Sequence, residues 1–382
     1  MDIVVAGHIC LDIIPDWKKG NIDSIKPGHI VEMSGIDFST GGAVANTGLT
    51  LHKLGIEPGL LGKIGNDQFG KIIMDYLKSQ TSDDISSQMI ISEDETTSYT
   101  IVLTPPDTDR VFLHYPGTNN TFSSRDIDYN KLNSAKLFHF GYPPLMRKIY
   151  QEDGRELKKI FKKIQEKGLL TSLDMAVPDP NTEAGALDWK SFLKNILPYV
   201  DIFMPSIDEV LYMLDSPEAN EIELDLNFLD SISNELVKWG SKIVVIKLGS
   251  QGLYMKSGNL TELNERDRSR LDTLIPTLKW NEQELLSPCY DVEVVGTTGS
   301  GDATIAGFLA GILHGKSPEE TLNLATAVGA CSVEAVNATA GIIPLEELYT
   351  RLKIGWDRLP IELDLQGWTF IQDSGIYSKK RS

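Results

Sequence analysis

The sequence predicts an α/β fold with a mostly parallel central sheet that is covered by helices. Two observations carry this prediction: short β-rich runs alternate with helical patterns along the chain, and several of those runs are continuously apolar. Continuous apolar runs are typical of parallel strands that are buried on both faces. Strand–helix alternation builds such a sheet, in which ligands bind beyond the carboxyl ends of the strands.

The elements are predicted from the period of the apolar residues and from their boundary signals. The predicted strands are Ile3–Ala6, Gly59–Ile64, Lys136–Phe140, Leu169–Asp174, Ile202–Met204, Ile243–Lys247 and Leu253–Lys256. The predicted helices are Ala43–Leu54, Gln68–Ser79, Asp153–Lys167, Ile207–Leu214, Leu226–Trp239, Asp302–His314 and Pro318–Val336. Many of these helices end at a glycine, as expected for a residue that leaves the helix in left-handed backbone.

Three segments depart from this alternation. Tyr99–Leu103 and Val111–Tyr115 are β-rich and joined by the turn-like sequence PPDTD, which predicts a hairpin outside the main sheet. Residues 259–288 are polar and weakly periodic, so we interpret them as a surface insertion with some helix. The end of the chain predicts a helix at Leu345–Ile354, followed by an irregular tail.

The composition excludes several classes of partner. Hydrophobic residues are 41% of the 382, enough for a sizeable core, and the net charge of −18 disfavours nucleic acid and anionic membranes. The three cysteines are widely spaced, which indicates neither a disulfide framework nor a zinc site. Because the sequence contains no signal peptide and no apolar run of about 18 residues, we expect a cytoplasmic protein.

The sequence GTTGSGDATIAGF, which begins at Gly296, is the most informative motif in the chain. Gly299 and Gly301 flank Ser300 directly before Asp302, where an apolar helical pattern begins. A helix N-terminus attracts anions because its first N–H groups lack intrahelical partners. A carboxylate at such a site is consistent with a base that takes a proton from a nucleophile attacking the anion. The alternative is that Asp302 only caps the helix.

A second glycine pair, Gly41 and Gly42, precedes a helix in the sequence GGAVAN. The glycines allow a ligand to approach the backbone closely, and the Asn46 side chain offers both donors and acceptors to a hydroxyl-bearing substrate. Asp12, which follows the first strand, could accept hydrogen bonds from sugar hydroxyls. The alternatives are a plain glycine turn and a solvated loop aspartate.

Two further segments follow predicted strands. Ser206 and Glu209 fit a capping box, and Glu209 is alternatively a carboxylate near a magnesium ion and phosphates. The glycine-containing sequence KLGSQG, residues 247–252, is either a tight turn or one wall of a nucleotide pocket.

Together, GGAVAN and TTGSGDATIAGF resemble the two signatures of the PfkB, or ribokinase-like, family of carbohydrate and nucleoside kinases. The resemblance covers residues 1–345 as a kinase domain and leaves 346–382 as a C-terminal helix and tail. It implies a three-layer α/β/α domain with a small β-sheet lid. The lid would come from about 12–38 and 95–116.

The resemblance also implies roles for individual residues. Asp302 would be the general base, and the anion hole would be formed by Gly299, Ser300 and Gly301. The sugar would be contacted by Asp12, Gly41, Gly42 and Asn46, with Arg110 close to the sugar or the γ-phosphate. The nucleotide would lie against Lys247, Gly249, Gly252, Thr298, Thr326, Ala327 and Ala330. Glu209 would act at the magnesium ion.

Three positions depart from the family pattern. Gly296 replaces the aspartate that opens the second signature, so activation by a monovalent cation such as potassium is left open. Ser206 replaces the asparagine of the usual NxxE motif, and Thr326 stands where asparagine is common near the adenine. Asp302 and the anion hole follow the pattern, so we expect an active enzyme.

The expected function is transfer of the ATP γ-phosphate, with Mg²⁺, to a terminal hydroxymethyl of a small sugar such as a ketohexose or a pentose. A nucleoside kinase of the same family is one alternative, and a non-catalytic sugar-binding regulator is another. We expect no nucleic-acid or membrane partner. The exposed edge of the lid sheet also suggests a homodimer through the lid.

Overall fold

The computed structural model describes residues 1–81, 84–106, 110–214 and 224–379. The strands are β1 (Ile3–Gly7), β2 (Cys10–Pro15), β3 (Ile36–Gly41), β4 (Pro58–Leu61), β5 (Lys63–Gly65), β6 (Ile90–Ser92), β7 (Tyr99–Leu103), β8 (Val111–Tyr115), β9 (Leu137–Gly141), β10 (Leu170–Leu173), β11 (Ile202–Phe203), β12 (Ile243–Lys247), β13 (Leu253–Ser257), β14 (Glu284–Ser287), β15 (Trp368–Ile371) and β16 (Ile376–Lys379). The α-helices are α1 (Ala43–Lys53), α2 (Gln68–Gln80), α3 (Arg147–Glu166), α4 (Trp189–Ile196), α5 (Ile207–Met213), α6 (Leu226–Lys238), α7 (Glu265–Leu271), α8 (Thr277–Trp280), α9 (Ser300–Leu313), α10 (Pro318–Val333) and α11 (Leu345–Ile354).

The central sheet confirms the predicted α/β fold. Its strand order is β15-β16-β14-β13-β12-β11-β10-β9-β1-β4. The six strands from β12 to β4 run parallel, and the four beyond them are antiparallel. The predicted run Gly59–Ile64 divides between two sheets, because β4 joins the central sheet and β5 pairs with β6.

The sheet separates two hydrophobic cores. Along β1, Ile3 and Val5 face one core while Val4 and Ala6 face the other. Successive side chains of a strand point to opposite faces, so an apolar strand of this kind is buried on both sides. Helices α1, α9 and α10 supply residues to the first core and helices α3, α4 and α6 to the second. This arrangement is the three-layer architecture that the resemblance implies.

The predicted helices are present with small differences at their ends. Gly55, Gly168, Gly240 and Gly315 all have positive φ angles, as expected for residues that follow helix ends. Helix α3 starts at Arg147 rather than Asp153, but residues 151–154 are not helical and break it. No helix among the described residues has the length and apolar character needed to cross a bilayer.

A separate four-stranded sheet has the order β3-β2-β7-β8. The predicted hairpin supplies β7 and β8, which pair in antiparallel register from Tyr99–Tyr115 to Leu103–Val111. Part of the turn between them, residues 107–109, lies outside the described residues. Side chains of β8 such as Phe112 and Leu113 are more than half exposed. This small sheet contains segments that the resemblance assigns to a lid.

Two segments differ from their predicted structure. The segment 259–288 is not only a surface insertion, because β14 belongs to the central sheet and Trp280 is fully buried. The tail is not irregular, because β15 and β16 extend the same sheet beyond β14. In both segments the apolar runs are short and charged residues stand between them, so their strands could not be identified from the sequence alone.

Candidate active site

Asp302 lies in the first turn of α9 and is only 2% exposed. Gly299, the residue that caps this helix, has a φ of 75°, a left-handed conformation that favours glycine. The turn therefore brings the Asp302 carboxylate to the start of the helix, beside Ser300 and Gly301. Burial raises the pKa of Asp302, since a low-dielectric environment disfavours the charged form.

Three side chains donate hydrogen bonds to Asp302. The Asn46 Nδ2 atom lies 3.0 Å and the Thr47 Oγ1 atom 3.2 Å from its carboxylate oxygens, both from the first turns of α1. The Tyr142 hydroxyl donates across 2.7 Å from the residue that follows β9. These bonds favour the ionised carboxylate and oppose the effect of burial on its pKa. The two glycine motifs thus meet at one carboxylate.

Only some of the predicted backbone donors around Asp302 are available to bind an anion. The Ser300 amide already donates to the Thr297 carbonyl across 3.3 Å, so this predicted anion-hole donor has a partner within its own turn. Gly301 is close to a cation, because a Cβ at this position would stand 3.7 Å from Lys247 Nζ. A positive charge and a helix N-terminus therefore converge on the same place.

Lys247 lines the cavity described below, on the side where the sequence suggested a nucleotide wall. Its ammonium group also pairs with Asp174 Oδ1 at 2.6 Å beside Gly301. Burial alone would lower the pKa of Lys247, but the nearby charges of Asp174, Glu209 and Asp302 raise it above its ordinary value. The lysine therefore remains a cation in a buried acidic cluster.

Glu209 forms the capping box that the sequence suggested. Its Oε2 atom accepts the Ser206 amide at 2.6 Å, and the Glu209 amide donates to Ser206 Oγ at 3.2 Å. Among the described residues, no three His, Cys, Asp or Glu side chains form a metal cage. Mg²⁺ commonly binds through one or two carboxylates together with phosphate oxygens and water, so this finding is compatible with the predicted role of Glu209.

A cavity of about 350 Å³ opens next to Ser300 and Gly301. Its walls are mainly apolar. They are formed by Lys247, Gly249, Ser250, Gly252, Leu253, Cys289, Tyr290, Val292, Val294, Thr297, Ser300, Gly301, Thr304, Thr326, Gly329, Ala330, Val333 and Leu359. Lys247, Gly249, Gly252, Thr326 and Ala330 were among the predicted nucleotide residues.

Two predicted nucleotide residues lie elsewhere. Ala327 is fully buried in the hydrophobic core, because it lies on a face of α10 that points away from the cavity. Thr298 lies beside the lid instead, where its hydroxyl accepts a hydrogen bond from the Arg110 guanidinium. Arg110 thereby connects the lid hairpin to the glycine-rich turn before α9.

The predicted sugar residues lie where the small sheet meets α1. Cys10 Sγ lies 3.4 Å from the Asp12 carboxylate, and burial raises the pKa of Asp12 to about 6. A Cβ on Gly41 would collide with that carboxylate, and Gly42, with a φ of 92°, has no space for one beside His8. Both glycines are therefore required by close packing around Asp12 and His8.

Sequence reasoning missed four polar residues of this region. They are His8, Thr47, Tyr142 and Asp174. Three of them follow or end strands, which is the signal that could have identified them: His8 after β1, Tyr142 after β9 and Asp174 after β10. The His8 ring lies 5.5 Å from the His114 ring and 6.2 Å from the Tyr142 ring.

Gly296 occupies a crowded position. Its amide donates to the Val333 carbonyl at 3.2 Å, and a Cβ would stand 3.0 Å from the Ala335 carbonyl oxygen. A side chain would require these neighbours to move slightly, so the local packing is adapted to glycine.

Comparison with known proteins supplies a family. The family model described as pfkB family carbohydrate kinase matches residues 1–345. An uncharacterized sugar kinase of Archaeoglobus fulgidus is 26% identical over 292 residues, which cover 76% of this chain and 97% of that protein. The ATP-dependent 6-phosphofructokinase of Thermoanaerobacterium thermosaccharolyticum is 25% identical over 351 residues, covering 91% and 92%.

Solved structures share the fold. Ribokinase of Arabidopsis thaliana, complexed with ribose and ATP, superposes with a TM-score of 0.71 at 19% identity, covering 93% of this chain and 99% of that one. Fructokinase of Xylella fastidiosa with bound ATP gives a TM-score of 0.69 at 17% identity, covering 92% and 98%.

Proposed function

Since this chain belongs to the pfkB family of carbohydrate kinases, which makes it a phosphotransferase with an alcohol acceptor, we propose that it transfers the γ-phosphate of ATP to a terminal hydroxymethyl group of a small sugar. One observation carries the proposal. Asp302 borders both the acceptor side, through Asn46 of α1, and the apolar cavity, through its neighbours Ser300 and Gly301.

In this proposal Asp302 is the general base. Its carboxylate takes the proton of the sugar hydroxyl as that oxygen bonds to the γ-phosphorus and the bond to the ADP oxygen breaks. Burial raises the pKa of Asp302, which makes the carboxylate a stronger proton acceptor than an exposed one. The hydrogen bonds from Asn46, Thr47 and Tyr142 hold it in place.

The remaining residues stabilise charge, the main requirement of phosphoryl transfer. Lys247 and the amide groups at the start of α9 face the transferred phosphoryl group. Arg110, which contacts Thr298 from the lid, adds a second cation when the lid is closed. Mg²⁺ would be held by Glu209 together with phosphate oxygens, where it would neutralise phosphate charge.

The acceptor that best fits is an unphosphorylated ketohexose or pentose. Among the described residues, the hydrogen-bond partners of the Asp12 side chain are Cys10 and Thr100, neither of which is a lysine or an arginine. Sugar phosphates are usually held by such clamps. A fructokinase of Oryza sativa, 23% identical over 342 residues, and the ribose-bound ribokinase support this substrate class.

Two alternatives stay in view. A nucleoside kinase is favoured by the fold it shares with the nucleoside kinase of Methanocaldococcus jannaschii, which gives a TM-score of 0.63. A sugar-binding regulator without catalysis is favoured by the departures at Gly296 and Ser206. The buried Asp302 beside an anion site argues against the regulator, because a pure binder gains little from a base there.

Phosphotransfer from ATP and Mg²⁺ across a panel of sugars and nucleosides separates these functions. We expect turnover with a free ketohexose or pentose and little with nucleosides. Turnover confined to nucleosides supports the first alternative. Sugar binding without phosphotransfer to any acceptor supports the regulator and contradicts our proposal.

We also propose a homodimer that forms through the lid. Strand β8 is an edge of the small sheet, and Phe112 and Leu113 on it are 57% and 51% exposed. Exposed apolar edge strands tend to pair with another chain. Light scattering should report a dimer for the wild type and a monomer for Leu113→Lys, while an unchanged dimer in the variant places the interface elsewhere.

A further inference from the structure

The C-terminal segment forms part of the apolar cavity next to α9. Leu359 lines this cavity, although it lies beyond residues 1–345, the part of the chain that the family model matches. The backbone of this segment is fixed to one wall, because Leu359 donates its amide to the Cys289 carbonyl and Asp291 donates to Asp357, both at 2.9 Å. Cys289 and Tyr290 also line the cavity.

A stack of side chains fixes that wall further. The Arg351 guanidinium lies 3.5 Å from the centre of the Trp356 ring, and Trp356 stacks on Tyr290 at 4.4 Å. The Arg358 guanidinium lies 4.2 Å from the Tyr290 ring and donates to the Pro288 carbonyl at 2.7 Å. Cation–π and stacking contacts of this kind order an aromatic side chain that would otherwise be mobile.

The same segment also contacts the turn beside that wall, where Cys289 Sγ lies 3.3 Å from the Gly249 carbonyl oxygen. Glu362 donates its amide to Gln251 Oε1 at 3.0 Å, and Gln251 Nε2 donates to Glu362 Oε2 at 3.2 Å. Gln251 lies in the turn whose Gly249, Ser250 and Gly252 line the cavity. Residues 356–362 therefore contact two adjacent parts of the cavity lining and add Leu359 to it.

We infer that residues 356–362 are a nucleotide-binding element, in which Leu359 contacts the nucleobase or ribose and the flanking contacts hold Leu359 in the cavity lining. This inference rests on the proposed function, because it assigns the cavity to the nucleotide. The polar groups that engage phosphate lie at the α9 end, so an apolar residue at the Leu359 position contributes to affinity for the nucleoside part. It has no direct role in sugar binding.

The test is the affinity for ATP, measured by calorimetry on the full chain without sugar. Leu359→Ala should weaken binding on the order of 3- to 10-fold, because apolar contact area is lost. Leu359→Trp should weaken it further, because the larger ring fills the cavity. Phe370→Ala is the matched control, since Phe370 lies in the same tail but is half exposed and does not line the cavity.

A second variant guards against a folding defect. Glu362→Ala removes the side-chain half of the exposed link to Gln251 and keeps the amide half, without changing the cavity lining. It should weaken ATP binding about 2-fold at an unchanged melting temperature. The sugar KM should stay the same in all variants. Wild-type ATP affinity in the Leu359 and Glu362 variants overturns the inference alone. A wild type that binds no ATP overturns the proposed function as well.

Discussion

Lys247 Nζ, at the end of β12, and Asp174 Oδ1, directly after β10, lie 2.6 Å apart although β11 separates their strands, and both side chains are largely buried. The charges of Glu209 and Asp302 also raise the pKa of this lysine. A buried ion pair costs desolvation energy, and removing one partner costs more than removing both. Substituting one or both of these residues can therefore distinguish a catalytic role of Lys247 from a structural one.

Lys247→Met should reduce both stability and turnover. The free energy of unfolding should fall by about 3–5 kcal/mol, because Asp174, whose pKa is already raised by burial, loses its cationic partner. kcat should fall on the order of 10²–10³-fold through loss of a cation at the phosphoryl group. Denaturant unfolding and steady-state kinetics measure the two effects.

The double variant Lys247→Met with Asp174→Asn is the control. It removes both charges, so it should recover most of the stability while kcat stays low. Recovery of kcat together with stability would show that Lys247 acts only through folding.

Asp302→Asn tests the proposed base. The amide has almost the same shape but accepts no proton, so kcat should fall on the order of 10²–10⁴-fold. Calorimetric affinities for ATP and for sugar should change little, because Asn46 and Thr47 can still hydrogen-bond to the side chain. Near-normal turnover in this variant contradicts the general-base assignment.

The parts of the site that the sequence predicted are those encoded by local motifs. Gly41, Gly42 and Asp302 needed only short-range rules on glycine backbone and helix N-termini. Tyr142 and Asp174 could not be found in this way. They reach the site only because β9 pairs with β1 and β10 pairs with β9 in the sheet, which no short motif encodes.

The position of a residue on a helix face depends on long-range packing in the same way. Ala327 and Ala330 are three positions apart on α10, and only the packing of that helix on α9 decides which one faces the cavity. The tail strands β15 and β16 were missed because a short strand at the edge of a sheet is specified by its partner as much as by its own pattern.

The contact between Arg110 and Thr298 predicts a link between lid position and catalysis. Arg110→Ala should raise the sugar KM and lower kcat, because the lid loses a charged contact with the turn before α9. Thr298→Val should reproduce only the part of the loss that comes from this hydrogen bond. The kinetics of both variants, and of the double variant, measure the coupling between the two residues.

If Arg110→Ala lowers kcat/KM much more than Thr298→Val does, then Arg110 contributes to catalysis beyond its contact with Thr298. If the two substitutions lower kcat/KM equally, and the double variant loses no more than either single variant, then Arg110 only positions the lid.

Arg270 lies in the segment 259–288, which the sequence suggested to be a surface insertion, and we expect it to contribute to the free energy of unfolding. Its guanidinium forms a bidentate pair with Asp201, which is fully buried and also accepts the Thr171 amide at 2.9 Å. Arg270→Met should lower the free energy of unfolding by about 3–5 kcal/mol, because Asp201 keeps an uncompensated buried charge. Denaturant unfolding measures the loss.

Arg268→Met is the matched control on the same helix, since Arg268 is exposed and its carboxylate neighbour Asp272 lies 3.8 Å away. It should change stability by less than about 1 kcal/mol. Comparable losses in the two variants would contradict a special role for the buried pair.

The buried histidines predict how stability depends on pH. Burial lowers the pKa of His139 to about 3, with a further contribution from the Lys247 charge, and His8 has a similarly lowered pKa. In the unfolded chain, each histidine takes up a proton as the pH falls below about 6.5. In the folded chain, His8 and His139 stay neutral at that pH because their pKa values are lowered. Stability is therefore lost as the pH falls below about 6.5. Asp12, with its pKa raised to about 6, acts in the opposite direction between pH 4 and 6.

His139→Gln should remove one of the protons that the unfolded chain binds at its histidines and the folded chain does not. Between pH 4 and 6, the free energy of unfolding of this variant should depend on pH less steeply than that of the wild type, by about 1.4 kcal/mol per pH unit. Gln keeps a polar partner for the Ser172 hydroxyl, which lies 3.0 Å from His139 Nδ1. Denaturant unfolding at several pH values measures this slope, and a wild-type slope for His139→Gln would show that His139 is not held neutral in the fold.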